Sequence, residues 1–334
     1  MAGGFAVNTR RKVLPLSGAI TRPVGGGTFG PLTLPKTGLL ARIYLALRGT
    51  VAGTLTVANA LGFSSIISRM RVQANSGIDI FNVSGGGYQY LLRNSLESQY
   101  IDPVGQSSGT SAVAASAFNV DAIIPIALNM RDPTGLIMLQ NEQTIVNLFI
   151  DWLADASVAT GATVTLTTGD AFLEVFTVPP DPKDWPPLNV IHQCLEDQQS
   201  IAAAGDFPYY WPRGNTYVGV YHGLTVTTLG GGTGGMGAAT PSDLWNRFAV
   251  RVNQSDYLQN TPVDFVDMEY RLQKGRARNL GTIFVDLLAT SGLGCYGLAR
   301  DMFNSALVTD LASVITTTGA ATLYTVRRQL VVLT

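Results

Sequence analysis

The sequence predicts an all-β protein built as two tandem, eight-stranded β-sandwiches with short helices inserted between strands. Three observations carry this prediction. Apolar residues alternate with period two over much of the 334-residue chain. Turn residues, not helices at regular intervals, separate the alternating runs, which argues against a parallel α/β sheet. A proline-rich segment divides the chain into two pieces of nearly equal size whose strands resemble each other.

The first long run is Leu39 to Val51, where the odd positions Leu39, Ala41, Ile43, Leu45, Leu47 and Val51 are apolar or small while Arg42, Tyr44, Arg48 and Thr50 face the other way. At ~3.3 Å per residue such a strand spans about 40 Å. Similar alternation marks Ile66 to Asn75, Ile145 to Leu153, Ala162 to Thr167, Tyr217 to Thr228, Leu244 to Asn253 and Thr282 to Leu288. After the Gly85-Gly86-Gly87 break, Tyr88, Leu91, Leu92, Ser95 and Leu96 follow helical spacing, and Val263 to Leu272 is a second helix candidate. Ala299 to Val314 carries a further apolar stripe, read as an insertion.

Residues 179–187 hold five prolines, which neither donate to a β ladder nor continue a helix. The expected organisation is a basic, Gly-rich arm over 1–35, a first sandwich over 36–178, the linker 179–187 and a second sandwich over 188–334. Three matches link the halves. Leu148-Phe-Ile-Asp-Trp-Leu-Ala154 shares four identities with Ile283-Phe-Val-Asp-Leu-Leu-Ala289; Arg69 to Asn75 has the polarity pattern of Arg247 to Asn253; and Gly161 to Leu166 resembles Gly319 to Tyr324.

Charge narrows the function. Only 13% of residues are charged, about half the usual share, and 36 are glycine. So sparse a surface fits a protein whose flanks are covered by neighbours. Net charge is −1, yet no Asp or Glu occurs before Asp79 while nine basic residues do: Arg10, Arg11, Lys12, Arg22, Lys36, Arg42, Arg48, Arg69 and Arg71. Either this quarter faces something anionic, or its cations pair with acids from the second half. Arg10, Arg11 and Lys12 stand apart, because their Gly-rich surroundings suggest a flexible arm. At about 1 kcal/mol per basic residue near an anionic membrane, three give roughly 3 kcal/mol, weak for one copy and strong for an array.

Chemistry-bearing motifs are sparse, and the expectation is a protein that is not an enzyme and needs no cofactor. Gly25 to Gly30 and Gly230 to Gly235 match a dinucleotide-loop string, but neither has both the strand before it and the helix behind it that a pyrophosphate site needs, and they read as flexible loops. His192 and His222 are the only histidines and read as core or interface residues. No G-x-S-x-G elbow and no His-x-His pair occurs. A zinc site at His192 and Cys194 would lack two ligands. Asp264, Asp267 and Glu269 read as a solvated helix face without calcium-loop spacing. Arg271 to Arg278 lacks the aromatics that base stacking requires, so no sequence-specific nucleic acid is expected, and it reads as a loop at a subunit contact or inner surface. Asn82-Val-Ser84 and Asn253-Gln-Ser255 are sequons by string only. Two cysteines, Cys194 and Cys295, exclude a disulfide framework and leave a single bridge open. No apolar run reaches the roughly 18 residues of a membrane span, and Met1 to Lys12 has no apolar stretch behind it to form a secretory signal. Synthesis in a reducing cytoplasm is expected.

Together these features resemble the double jelly-roll major capsid proteins of tailless, internal-membrane bacteriophages, the tectivirus-like and corticovirus-like group. The residues that carry the likeness are Leu34 to Leu45 with Arg48-Gly-Thr50, Ser68 to Gly77 with Asp79-Ile-Phe-Asn82, the Tyr88 to Leu96 helix, and the second-half counterparts from Leu244 onward. The resemblance implies homotrimers that form pseudo-hexagonal capsomers of an icosahedral virion, made in the host cytoplasm and lying over an internal lipid membrane. Neighbouring capsomers, penton proteins and minor capsid proteins would be its partners. Arg10, Arg11 and Lys12 would lie on the inner side, against headgroups or adjacent capsomers, and loops such as Gly230 to Thr240 and Ala299 to Val314 would project outward. A carbohydrate- or receptor-binding β-sandwich, as in a viral spike or a lectin, is the alternative, but it leaves the acid-free first quarter unexplained.

Overall fold

A computed structural model describes residues 9–16, 20–52, 66–75, 77–92, 116–128, 133–158, 161, 163–226, 236, 243–274, 277–287 and 302–333. Eighteen strands account for most of them. The first nine are β1 (Arg11–Pro15), β2 (Gly27–Thr33), β3 (Leu39–Ala52), β4 (Ile67–Ala74), β5 (Ile78–Ser84), β6 (Ser116–Pro125), β7 (Ile137–Met138), β8 (Val146–Trp152) and β9 (Thr163–Phe176). The second nine are β10 (Val190–Ile201), β11 (Gly205–Tyr210), β12 (Thr216–Thr225), β13 (Trp245–Val252), β14 (Ser255–Pro262), β15 (Thr282–Asp286), β16 (Phe303–Asn304), β17 (Leu311–Thr317) and β18 (Ala321–Val332).

The two series are laid out alike. In the first, strand order runs β1-β9-β3-β6 on one side and β2-β8-β4-β5 on the other, with β7 paired to β3. In the second it runs β10-β18-β12-β15 and β11-β17-β13-β14, with β16 paired to β12. Adding nine to each number of the first series gives the second. Eight strands plus one two-residue bridge in this order make a jelly roll, and the chain makes it twice. Contacts gather the chain into two compact units, Met1–Gly85 with Asp102–Leu195 and Leu330–Thr334, and Gly86–Ile101 with Glu196–Gln329.

The expected alternation explains the strands that frame each core. β3 buries Ile43, Leu45 and Leu47 and leaves Arg42, Tyr44, Ala46 and Arg48 half-exposed, as a strand with one wet face must. β8 buries Val146, Leu148, Ile150 and Trp152. The second unit packs Trp211, Tyr217, Val220, Trp245, Phe248 and Ile315 into one cluster. Its aromatics meet edge-on, Trp211 with Tyr217 at 4.9 Å and Trp245 with Phe248 at 6.0 Å between ring centres.

Two of the three sequence matches coincide with equivalent places. Arg69 to Asn75 and Arg247 to Asn253 cover β4 and β13, and Asn75 and Asn253 both turn the chain with φ near +50°. Each Asn Oδ1 then accepts a backbone N–H just ahead of the next partner strand, from Ile145 before β8 and from Thr309 before β17, at 2.9 and 2.8 Å. Asn tolerates this left-handed geometry because its short polar side chain bonds locally. Gly161 to Leu166 and Gly319 to Tyr324 likewise lead into β9 and β18. The third match does not correspond. Leu148 to Trp152 lies on β8, whose equivalent is β17, whereas Ile283 to Asp286 lies on β15, the equivalent of β6.

Helices follow β5 and β14, the same point in each series. The first is a helical turn, Gly85–Gly87 continued by a π-helical turn Tyr88–Leu92, and the second is the regular helix Val263–Lys274. The stripe from Ala299 to Val314 is not helical where it is described: it breaks into β16, a single 3₁₀ turn Ser305–Leu307 and the start of β17. In the linker, Asp181 caps a 3₁₀ turn Pro182–Asp184, and the Trp185 indole N–H donates to the Pro179 carbonyl at 2.9 Å.

Candidate functional site

The sequence singled out Arg10, Arg11 and Lys12, and the structure gives them a more ordered setting than a flexible arm. Arg11 and Lys12 begin β1, which pairs antiparallel with β9 through Arg11↔Phe176 and Lys12↔Val175. Arg10 continues the pairing, donating its N–H to Thr177 Oγ1 at 2.8 Å and accepting from Thr177 N–H at 2.9 Å. The local reason is the ion pair that Arg11 makes. Its Nε donates to Glu174 Oε1 at 2.8 Å, and although the Arg11 side chain is 52% exposed, that of Glu174 is only 2% exposed.

Glu174 is the hub. Tyr44 donates its hydroxyl to Oε2, and Arg42 Nη1 stands 3.7 Å from the same oxygen. Burial pushes the Glu174 carboxyl up, but the hydrogen bonds from Arg11 and Tyr44 and the charges of Arg42 and Arg11 outweigh it and hold it below the usual carboxylate range. Arg11 is correspondingly raised, chiefly by its hydrogen bond to Glu174. Arg11 is therefore a fastening of the fold although exposed, while Arg10 and Lys12 are exposed and, among the described residues, form no ion pair.

The same holds across the acid-free quarter. Arg22 meets Asp155 at 2.5 Å, Arg48 meets Asp121 at 2.6 Å and Arg71 meets Asp151 at 3.2 Å. These acids, with Glu174, come from residues 121–174 and not from the second half of the chain. Lys36 Nζ donates to the carbonyls of Asn141, Glu142 and Thr144, and Arg69 donates to Asn82 Oδ1.

The remaining candidates settle as follows. Gly25 to Gly30 leads into strand β2, so no helix N-terminus faces it, and it is held tightly: Gly26 has φ +101° and a Cβ there would stand 2.6 Å from the Leu153 carbonyl oxygen. Gly230 to Gly235 lies outside the described residues, as does Cys295. His192 is buried, with Nε2 3.8 Å from the Cys194 sulfur. His222 is fully buried and bonded at both nitrogens, Nδ1 to Thr325 Oγ1 at 2.9 Å and Nε2 to Ser313 Oγ at 2.8 Å. Ser313 also accepts the Trp211 indole N–H at 2.9 Å, and burial pushes the imidazole down to about 3. His222 is thus a neutral core residue. Asp267 is not a free cation ligand, since Arg278 Nε donates to it at 2.6 Å. Nor does Arg278 lie on a surface as expected: it is buried and also bonds Asp243 and the Thr282 carbonyl.

Sequence reasoning missed one surface. On helix 263–274, Val266 and Tyr270 are buried, yet Phe265, Met268 and Leu272 are 45%, 55% and 87% exposed. Spacing could have found this, because the apolar residues of the helix occupy more than one face.

No protein-family model matches the chain, and no curated protein matches it in sequence. Solved structures do match it. The chain is similar to the major capsid protein of Sulfolobus Turreted Icosahedral Virus, with a TM-score of 0.72 at 12% identity over 97% of both chains. It is similar to the major capsid protein of bacteriophage PM2, with a TM-score of 0.60 at 12% identity over 97% of this chain and 98% of the other. A quasi-atomic structure of the PBCV-1 virus capsid gives 0.61 at 10% identity over 98% and 96%. At such identities the likeness is one of fold, and that fold is the double jelly roll seen in these major capsid proteins.

Proposed function

We propose that the chain is the major capsid protein of an icosahedral virion with an internal membrane, a structural protein and not an enzyme. The observation that carries this reading is the repetition itself, one jelly roll written twice, strand for strand, within one chain. Three copies present six similar bodies around a threefold axis, which is what a pseudo-hexagonal capsomer requires of a homotrimer. The low charge content supports it, since flanks buried against sister chains and neighbouring capsomers need few charges.

We read residues 11–178 and 188–334 as the two modules, joined by 179–187, with β1 and β2 belonging to the first module and not to an arm. Arg10 and Lys12, exposed at the start of edge strand β1, reach lipid headgroups or an adjacent capsomer at the inner face, with penton and minor capsid proteins as further partners. Lys12 and Pro15 on so short an edge strand also discourage unwanted strand addition. Sedimentation of the purified protein at micromolar concentration tests the reading. A species three times the chain mass is expected, and a stable monomer would count heavily against it. Arg10→Ala with Lys12→Ala should abolish binding to anionic vesicles or particle assembly while the trimer persists.

A further inference from the structure

β3 and β12 hold the same place in their sheets, between β9 and β6 and between β18 and β15. Their inner faces are equally buried, but their outer faces differ. On β12, Gly219, Tyr221 and Gly223 are buried, and a Cβ at Gly223 would run into Met236 and stand 3.3 Å from Leu91 Cδ2. The cover is supplied by the turn that follows β5, whose Leu91 and Leu92 are fully buried. On β3, Arg42, Tyr44, Ala46, Arg48 and Thr50 are left half-exposed. Among the described residues, the outer face of β12 has its cap and the equivalent face of β3 has none.

The missing cap has a counterpart. Helix 263–274 follows β14 as the 85–92 turn follows β5, so it is the equivalent covering element. Its Tyr270 ring stacks on Phe284 at 5.5 Å, which fixes one side of the helix, and Phe265, Met268 and Leu272 then project from the other. A stripe of three large apolar side chains on a helix needs a partner. The charges are opposite in sign. The helix carries Asp264, Asp267 and Glu269 before its first basic residue, Arg271. The outer face around β3 carries Arg11, Arg42 and Arg48 against the carboxylates of Glu174 and Asp121.

We infer that helix 263–274 of one copy lies on the outer face of β3 of the next copy, reproducing between chains what the 85–92 turn does on β12 within one. The occupant is a second copy of this chain. The contact is heterologous, helix to sheet, and closes when the third copy returns to the first. It rests on the trimer proposed above and names the surface that builds it.

Cross-linking tests this in the full-length protein. Ala46→Cys and Met268→Cys are placed in separately tagged chains, mixed during assembly and treated with a short bismaleimide, with the unsubstituted chain as the control for Cys194 and Cys295. A covalent pair joining the two tags is expected, and a covalent trimer when both substitutions share one chain. Met268→Asp with Leu272→Asp should weaken the trimer on the order of 100-fold, with circular dichroism unchanged. A trimer that yields no cross-link between these positions, or that joins Met268→Cys only to itself, overturns the inference and leaves the capsid reading standing. A wild-type monomer overturns the capsid reading instead. Should the double Asp variant lose its fold, the cross-link alone decides.

Discussion

The two jelly rolls fasten the same pair of strands with the same device and opposite signs. In the first, the cation sits on β1 and the buried anion on β9, as Arg11 and Glu174. In the second, the anion sits on β10 and the buried cation on β18, as Asp197 and Arg327, 2.8 Å apart. Each carboxylate also accepts a tyrosine hydroxyl, from Tyr44 in one case and from Tyr209 at 2.6 Å in the other. Geometry requires a paired charge at this place and is indifferent to which strand supplies which sign. What the swap changes is the surface, because the more exposed member is a cation in the first module and an anion in the second. Among the described residues, Arg10 and Lys12 form no ion pair beside Arg11, which adds to the positive end of this module.

The cores differ as well, which gives the comparison its largest handle. Phe248 and Met70 occupy equivalent positions on β13 and β4, both fully buried. Phe248→Ala should cost about 4 kcal/mol and Met70→Ala about 3, read from denaturant midpoints, because the ring leaves the larger cavity. An inverted order would show that the two sites do not relax alike.

Next in size is acid sensitivity. His222 is neutral in the fold at about 3 against an ordinary 6.5, so the unfolded chain binds the extra proton between those values. Stability is therefore lost as pH falls from 6.5 towards 3, at about 1.4 kcal/mol per pH unit. Between pH 6.5 and 4.5 the wild type should lose about 2 kcal/mol that His222→Gln does not. Equal slopes for the two proteins would refute a neutral buried imidazole.

The smallest effects probe the paired clasps. Glu174→Gln should cost about 2 kcal/mol and Asp197→Asn about 1, since Glu174 is the more deeply buried and bonds more partners. The Glu174 carboxyl is held below its usual range, so its contribution is present above the unfolded value and lost as pH falls through the folded one. The difference between wild type and Glu174→Gln should accordingly shrink in acid, and thermal melts at pH 7 and pH 3 would show it.

Local pattern read well where one face of a strand is wet. β3, β4 and β8 alternate cleanly, and the helix at 263–274 follows its own period. It read poorly where a strand is polar or buried for tertiary reasons. β18 carries Arg327, Arg328 and Gln329 in buried positions, and β10 mixes Cys194 and His192 with Glu196, Asp197 and Gln198, so neither shows a period of two. β1 and β2 read as an arm because their composition is basic and Gly-rich, and composition cannot reveal that β9 and β8 wait for them more than 110 residues on. The matched heptapeptides on β8 and β15 failed for a related reason. Identity among Val-, Leu- and Phe-rich strands reports the demand for an apolar face, which several strands share, while the Asn75 and Asn253 turns report a backbone shape that few positions need.

By itself, then, the sequence determined the all-β class and the doubling, because each is written in local periodicity and in the repetition of turn and strand patterns. Which strand answers which, which cations are already spent on Glu174, Asp121, Asp151 and Asp155, and which helix face stays bare were decided only in three dimensions. Pairing joins residues from tens to more than a hundred positions apart, and a charge or an apolar side chain acquires its role from the neighbour that folding brings to it.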